Sequence, residues 1–245
     1  MKIFSDKTKS VEIQSFEQWK EVFIKKDTNS HWKEGRSACS LAHFICDNCG
    51  EEQIIKIVNS ILQKDEVESL DEVESLDEGI IEFENKFDDF RNGRIQDLSI
   101  WGKTKKGKKI YIGVEAKVDE KFDNKTLKDA FEYAKKYLKE HPRSGNLTRI
   151  NNLCNFFKVN VETAGNLMYQ LFYYVAGTLS EPNQDIYIML VLVFKTKEYN
   201  PQKGENNKKD YNLFMNRFAT PKDGYYSFKT FAKQAYSTYM EITLE

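Results

Sequence analysis

The sequence predicts an α/β protein: one mixed β-sheet flanked by helices, with a helical segment at its N-terminal end. Three observations predict it. Residues 15–62 carry apolar side chains at helical spacing. Residues 79–117 then break into three strand-like runs in succession. Asp185–Lys195, reached only after further helical segments, is a continuous apolar run of the kind found in strands covered on both faces. Helices, a three-stranded meander, helices and a returning strand close most simply as a mixed sheet between helical layers. The 245 residues are 40% apolar, with 17 Phe and 13 Tyr. That is enough for one packed domain with additions. Only four prolines occur and no linker-like stretch divides the chain, so a single domain over 1–245 is expected.

The elements follow in order. Ser15 is an N-cap for a helix carrying Phe16, Trp19, Val22 and Phe23. Gly35–Asp47 and Glu51–Leu62 are the next two helices, completing a helical part over about 15–63. Gly79–Phe87, Arg94–Trp101 and Lys109–Lys117 are the strands, and a lysine-rich turn joins the last two. Lys125–Glu140 is a helix ended by His141-Pro142. Leu147–Phe157 and Val161–Leu179 are further helices, and the strand Asp185–Lys195 ends a core of about 79–195. In the extension 196–245, Asn206–Phe218 is helical, Tyr225–Phe231 is ambiguous and Tyr239–Leu244 is a terminal strand.

Charge is uneven along the chain. Net charge is −1. Residues 65–78 nevertheless hold eight acids and no base, in a tandem hexamer Asp65–Leu70 and Asp71–Leu76. Without that stretch, 37 basic residues face 30 acidic ones. Lysines cluster at 103–109, 121–139 and 195–209. A basic body suits a phosphate-backbone ligand, although each cluster also reads as solvated surface. The acidic repeat reads as an insertion in an exposed connection, or as a cover mimicking nucleic-acid charge. No apolar run approaches the ~20 residues of a membrane span. The N-terminus lacks the apolar centre of a secretion signal. A cytoplasmic protein is expected.

The chemistry concentrates on two strands. Asp97 opens Asp97-Leu98-Ser99-Ile100-Trp101-Gly102, and Glu115-Ala116-Lys117 ends Lys109–Lys117. Carboxylates on adjacent antiparallel strands can converge on one divalent cation. A lysine two residues after an acid points the same way as that acid. Mg²⁺ (or Mn²⁺) needs one or two carboxylates and keeps several waters, and such a site cuts phosphodiesters by activating water. Glu82 and Glu84, on the preceding strand, are candidates for an additional acid, with Glu82 preferred. The hairpin lysines Lys103, Lys105, Lys106, Lys108 and Lys109 are candidates for tracking phosphates beside the site. Arg36 either contacts a phosphate or caps its helix.

The acid, the E-x-K strand and the long helix after it resemble the PD-(D/E)XK nuclease superfamily, the restriction-endonuclease-like fold. Gln96 stands where many members carry proline. His31-Trp32-Lys33-Glu34-Gly35-Arg36-Ser37-Ala38-Cys39-Ser40-Leu41-Ala42 is similar to the opening helix of a small bacterial restriction-endonuclease-like branch. Leu167–Tyr174 and the run Ile186–Phe194 are similar to its later helix and strand. Gln170 and Tyr174 fit the Q-x-x-x-Y pattern of exonuclease-like branches. The similarity covers about residues 30–195. It implies metal ligation by Asp97, Glu115 and the Ala116 carbonyl, water activation or positioning by Lys117, and Gln170 reaching toward the site. A glutamine satisfied by backbone or a neighbouring tyrosine is the alternative for Gln170. The resemblance further implies DNA as substrate, a role in restriction or phage defence, and by analogy a homodimer. A catalytically idle nuclease fold that binds nucleic acid or a protein partner is the alternative.

Other chemistries find little support. Cys39, His43, Cys46 and Cys49 suggest zinc, but on one helix Cys39 and Cys46 stand roughly 10 Å apart along the axis, too far for one tetrahedral ion. Three dispersed histidines argue against a histidine catalyst, and no phosphate-binding glycine loop is present.

Overall fold

The computed structural model describes residues 1–26, 32–64, 71–90, 92–228 and 233–244. His31, the first hexamer Asp65–Leu70 and residues 229–231 of the ambiguous segment lie outside the described residues. Along the chain come β1 (Lys2–Phe4), β2 (Glu12–Ile13), α1 (Phe16–Lys26), α2 (Ser37–Asp47), α3 (Gly50–Lys64), β3 (Val73–Asn85), β4 (Arg94–Thr104) and β5 (Lys109–Lys117). Then follow α4 (Leu127–Glu140), α5 (Asn146–Phe157), α6 (Val161–Ala164), α7 (Tyr169–Leu179), β6 (Ile186–Lys195), α8 (Pro201–Phe218), β7 (Thr220–Pro221), β8 (Tyr226–Phe228) and β9 (Gln234–Thr243).

All nine of these strands join one mixed sheet, in the order β2-β1-β3-β4-β5-β6-β9-β8-β7. The meander β3-β4-β5 is antiparallel, and β6 joins β5 in parallel. The chain is therefore an α/β protein with a large mixed sheet and helices on both faces. Strand β6 shows why. Its Ile188, Leu190 and Leu192 pack with Phe44 of α2 and Ile54 and Val58 of α3. Its Met189, Val191 and Val193 pack with Phe157 of α5, Phe172 of α7 and Phe214 of α8. Two helical layers cover one strand, so side chains of both parities are apolar. No helix among the described residues is long and apolar enough to cross a membrane.

The layer beneath the candidate site depends on one close approach. A Cβ on Gly113 of β5 would lie 2.6 Å from Thr178 Oγ1, so only glycine lets α7 ride this near the sheet. The Tyr174 hydroxyl then donates to the Gly113 carbonyl at 2.7 Å, and Gln170 follows one turn away.

Four expectations change. The predicted helix Val161–Leu179 is broken. Asn160 caps the short α6. Residues 165–169 then turn back on the start of α4, where Leu127 N–H donates to the Leu167 carbonyl at 2.8 Å and Tyr169 N–H to the Lys125 carbonyl at 3.0 Å. Backbone pairing to another segment outweighs helical periodicity there. Helix α2 starts at Ser37, so Trp32–Arg36 is not helical. The short edge strands β1, β2 and β7 escape the periodicity reading because two or three residues hold too little pattern.

The fourth change concerns the acidic repeat. Its second copy is no insertion: β3 begins at Val73, not Gly79, and Val73 pairs with Thr104 and Leu76 with Gly102. Val73 and Leu76 are buried in the core and Asp71 is fully buried. Apolar residues three apart suit a helix on sequence grounds. Register irregularities between Val73 and Ser75 and between Leu76 and Glu78 instead let a strand bury them. Leu76→Asp is expected to destabilise the fold by at least about 3 kcal/mol, read as a lower urea midpoint. Deleting one hexamer is a different experiment. Either deletion yields the same chain, and the flanks already meet, with Val73 N–H donating to Asn59 at 2.7 Å and Gln63 to Glu72 at 3.2 Å. The surviving copy can supply the strand, so the deletion is expected to be far milder.

Candidate active site

Regular pairing of β4 with β5 runs from Lys103–Lys109 to Leu98–Val114. At the next position side chains take over: Ala116 N–H donates to Asp97 Oδ2 at 2.7 Å. A strand residue's N–H and C=O leave on the same side, so the Ala116 carbonyl also faces the Asp97 side. On β3, Glu82 falls between the pairs Ile81–Leu98 and Phe83–Gln96. Its backbone is left-handed, with φ +50°, a strained conformation for a residue other than glycine. Alternation breaks here. Ile81 and Leu98 face the α1–α3 layer. Two residues further along each strand toward the break, Phe83 packs edge-on to Trp101 and Gln96 donates to Thr178 of α7. The flip brings acids from β3, β4 and β5 into one electrostatic group.

Glu115 is the centre of that group and is 1% exposed. Lys117 Nζ lies 2.8 Å from Oε1, and Gln170 Nε2 donates to the same oxygen at 2.9 Å. Arg94 Nη2 binds Oε2. Burial pushes the Glu115 carboxyl up, but Arg94 and Lys117 pull harder and hold it below its ordinary value. Its neighbours go the other way. Burial, then the charge of Glu115, raises Asp97 to about 7. Burial, then the charge of Asp97, raises Glu82 to about 8, against the opposing pull of Lys26 and Arg94. Glu84 leaves the group, because its Oε1 accepts the Gly93 N–H.

The raised carboxyls reflect crowding: three carboxyls, Glu115 buried and Glu82 and Asp97 half-buried, gather around Arg94 and Lys117. A divalent cation would relieve that crowding. Among the described residues no three His, Cys, Asp or Glu side chains form a ready metal-holding group. A hard cation such as Mg²⁺ needs only one or two carboxylates, with carbonyl and water oxygens completing the shell. Asp97, Glu115 and the Ala116 carbonyl fit that requirement, and Glu82 stands beside them. A cavity of about 310 Å³ is lined by Arg94, Lys117 and Gln170, the three partners of Glu115, and by Lys121.

The family described as Domain of unknown function (DUF6946) matches residues 12–239. The chain belongs to this family. The DUF6946 region contains every residue of the group, from Lys26 to Gln170. No curated protein and no solved structure matches the chain.

Arg94 is the residue that sequence reasoning missed. It opens β4 three residues before Asp97, and an arginine at a strand start carries no signal of burial. Its guanidinium is nevertheless enclosed, and its Nε has no hydrogen-bond partner among the described residues.

Two sequence expectations are corrected. Arg36 occupies the N-cap position of α2 without capping it. Its guanidinium instead pairs with Asp119 at 2.9 Å and Glu120 at 3.2 Å, so it is engaged by protein carboxylates rather than presented to a phosphate. The hairpin lysines do not stand beside the site. Asp97 and Glu115 lie at the ends of β4 and β5 away from the turn, roughly 20 Å from it at strand rise. Lys103 pairs with Glu74 at 3.1 Å and Lys105 with Glu72 at 2.5 Å, both acids of the second hexamer. Lys106 N–H donates to Asp71. Only Lys106, Lys108 and Lys109 keep side chains outside those two pairs. The second hexamer thus lies against the basic hairpin rather than the cleft. Neutralising all five lysines is expected to leave the salt dependence of DNA binding unchanged. A log–log slope flatter by about 0.9 per lost contact would contradict this.

Proposed function

We propose that this chain is a divalent-metal-dependent deoxyribonuclease that hydrolyses phosphodiester bonds. The observation that carries the reading is the Glu115 centre. A buried carboxylate at a strand end shares Lys117 and Gln170 on one oxygen, with Asp97 tied to the next residue's N–H. The resemblance to PD-(D/E)XK nucleases supports the same assignment, and with it a role in restriction or phage defence. Mg²⁺ or Mn²⁺, held by Asp97, Glu115 and the Ala116 carbonyl, would supply Lewis acidity and an acidified water. Lys117 orients the attacking water or meets charge developing on the phosphate. Arg94 lines the cleft with a cation that answers the same charge. Gln170 acts as a positioning residue, holding the Glu115 carboxylate in one rotamer. Glu82 keeps a proton near neutral pH and adjusts the charge of the set as that proton leaves.

One observation favours a second reading, a nuclease fold that binds nucleic acid or a protein without cutting. Both Glu115 oxygens already have protein donors, so a metal would compete with Arg94. The experiment is incubation of purified protein with supercoiled plasmid and with circular single-stranded DNA, in Mg²⁺, in Mn²⁺ and in EDTA. Metal-dependent nicking or degradation supports the first reading. Retention of DNA on the protein without any cutting supports the second.

A further inference from the structure

The cavity lined by Arg94, Lys117 and Gln170 has a neighbour. It shares Asp123, Tyr169 and Tyr173 with a second cavity of about 280 Å³, which runs on to Lys125, Tyr133 and Arg149. The floor of the continuous groove is aromatic. Tyr169 and Tyr173 are ring neighbours at 6.0 Å. Tyr133 follows on α4 and is 51% exposed, although large aromatic side chains usually find cover. Lys125 Nζ sits 4.0 Å from its ring centroid. From Tyr133 the rings continue along one helix face at fourth-residue spacing. Tyr133 stacks with Tyr137 at 5.8 Å and 20°, and Tyr137 with His141 at 4.0 Å and 9°.

The walls are cationic. Arg94, Lys117, Lys121, Lys125 and Arg149 line the two cavities, against the single acid Asp123. Arg94 and Lys117 answer Glu115, and Arg149 answers Asp88 through two hydrogen bonds. Lys121 and Lys125 make no ion pair among the described residues. Lys121 lines the first cavity with Arg94 and Lys117, and Lys125 lines the second with Tyr133.

We infer that this groove guides a single strand of DNA to the active site, its bases stacking on Tyr169, Tyr173 and Tyr133 and its phosphates following Lys121 and Lys125. The inference rests on the nuclease reading for the direction of the strand, and it names the substrate class of that site. A row of aromatic faces beside a row of cations is the physical requirement of single-strand binding. Duplex DNA buries its base faces in its own stack. It presents phosphates and groove edges instead, so it makes no use of exposed rings.

The test separates this inference from the reading on which it rests. Binding of one mixed-sequence oligonucleotide, single-stranded or annealed to its complement, is measured by fluorescence anisotropy with the full chain in EDTA. Cleavage of both forms is measured separately in Mg²⁺. Expected are a single-strand affinity at least ~10-fold above that for the duplex, and a loss of about 5- to 150-fold in Tyr133→Ala, the range that stacking of one base confers. Tyr133→Phe, which keeps the ring, is expected to retain affinity. Lys125→Ala is expected to flatten the salt dependence by about 0.7 in log–log slope. Because Tyr133 is half exposed, these variants should fold, and circular dichroism checks it. Duplex binding as tight as single-strand binding, or unchanged affinity in Tyr133→Ala, overturns the inference whether or not the chain cuts DNA. Single-strand binding of the expected pattern without cleavage of either form overturns the nuclease reading and leaves the groove assignment standing.

Discussion

Lys117→Ala is expected to lower Mg²⁺-dependent DNA hydrolysis by about 100-fold or more while leaving DNA binding and folding intact. Glu115 would keep Arg94 and Gln170 as partners, so no buried charge is orphaned. Asp97→Asn is expected to abolish cleavage for a different reason. It removes a proposed metal ligand but retains an oxygen for the Ala116 N–H, and it deletes a charge that Glu82 and Glu115 repel. DNA binding should persist or strengthen. Glu115→Ala is a poor probe. It breaks the buried pairs that Arg94 and Lys117 make with this carboxylate, which typically costs about 3–5 kcal/mol, a large part of an ordinary domain's stability. Lost activity in that variant would report unfolding as readily as chemistry. The decisive comparison is the cleavage rate of wild type, Lys117→Ala and Asp97→Asn, each with a melting curve. Equal rates in all three would move the active site elsewhere.

A second large effect should appear in stability against pH. Glu82 at about 8 and Asp97 at about 7 both sit above their unfolded values of 4.5 and 3.8. The folded chain therefore holds protons that the unfolded chain has released. The stability this confers is complete below about pH 4 and is lost as pH rises through 7 to 8. Melting temperature should accordingly fall between pH 5 and pH 9. Glu82→Gln should flatten that fall and gain on the order of 2–4 kcal/mol at pH 9. Mg²⁺ should raise the melting temperature most at high pH, where ionised carboxylates await a cation, and little at pH 5, where protons compete. Asp97→Asn should remove most of the Mg²⁺ effect. A metal-induced shift that is indifferent to both pH and Asp97→Asn would place the ion outside this group.

Much of the set was legible in the sequence because strand chemistry is local. Glu115 and Lys117 share a face by alternation, and their 2.8 Å contact needs no distant residue. Ile186–Phe194 declared itself a buried strand by composition alone. Gln170 fits the Q-x-x-x-Y pattern, and its bond to Glu115 follows from where α7 lies. The same local logic misplaced the hairpin lysines. Adjacency in sequence to Asp97 and Glu115 became roughly 20 Å in space, because a hairpin carries its turn away from the far ends of its strands. It also leaves Val73 and Leu76 in an exposed insertion, whereas an irregular strand register buries them.

The layered α/β arrangement, the meander and its return strand, and the shared face of Glu115 and Lys117 are local properties of the chain. Those depend on side-chain periodicity and on distances of one or two residues. The charge state and composition of the group arise only when distant segments pack together. Arg94 became its second cation because β4 starts beside the end of β5. Glu82 joined it because a left-handed residue flipped two strands at once. The carboxyls of Glu82 and Asp97 are raised because burial and a neighbouring carboxylate act on each together. Burial and mutual repulsion are properties of groups brought close from 33 residues apart along the chain, from Glu82 to Glu115, and no local pattern encodes them.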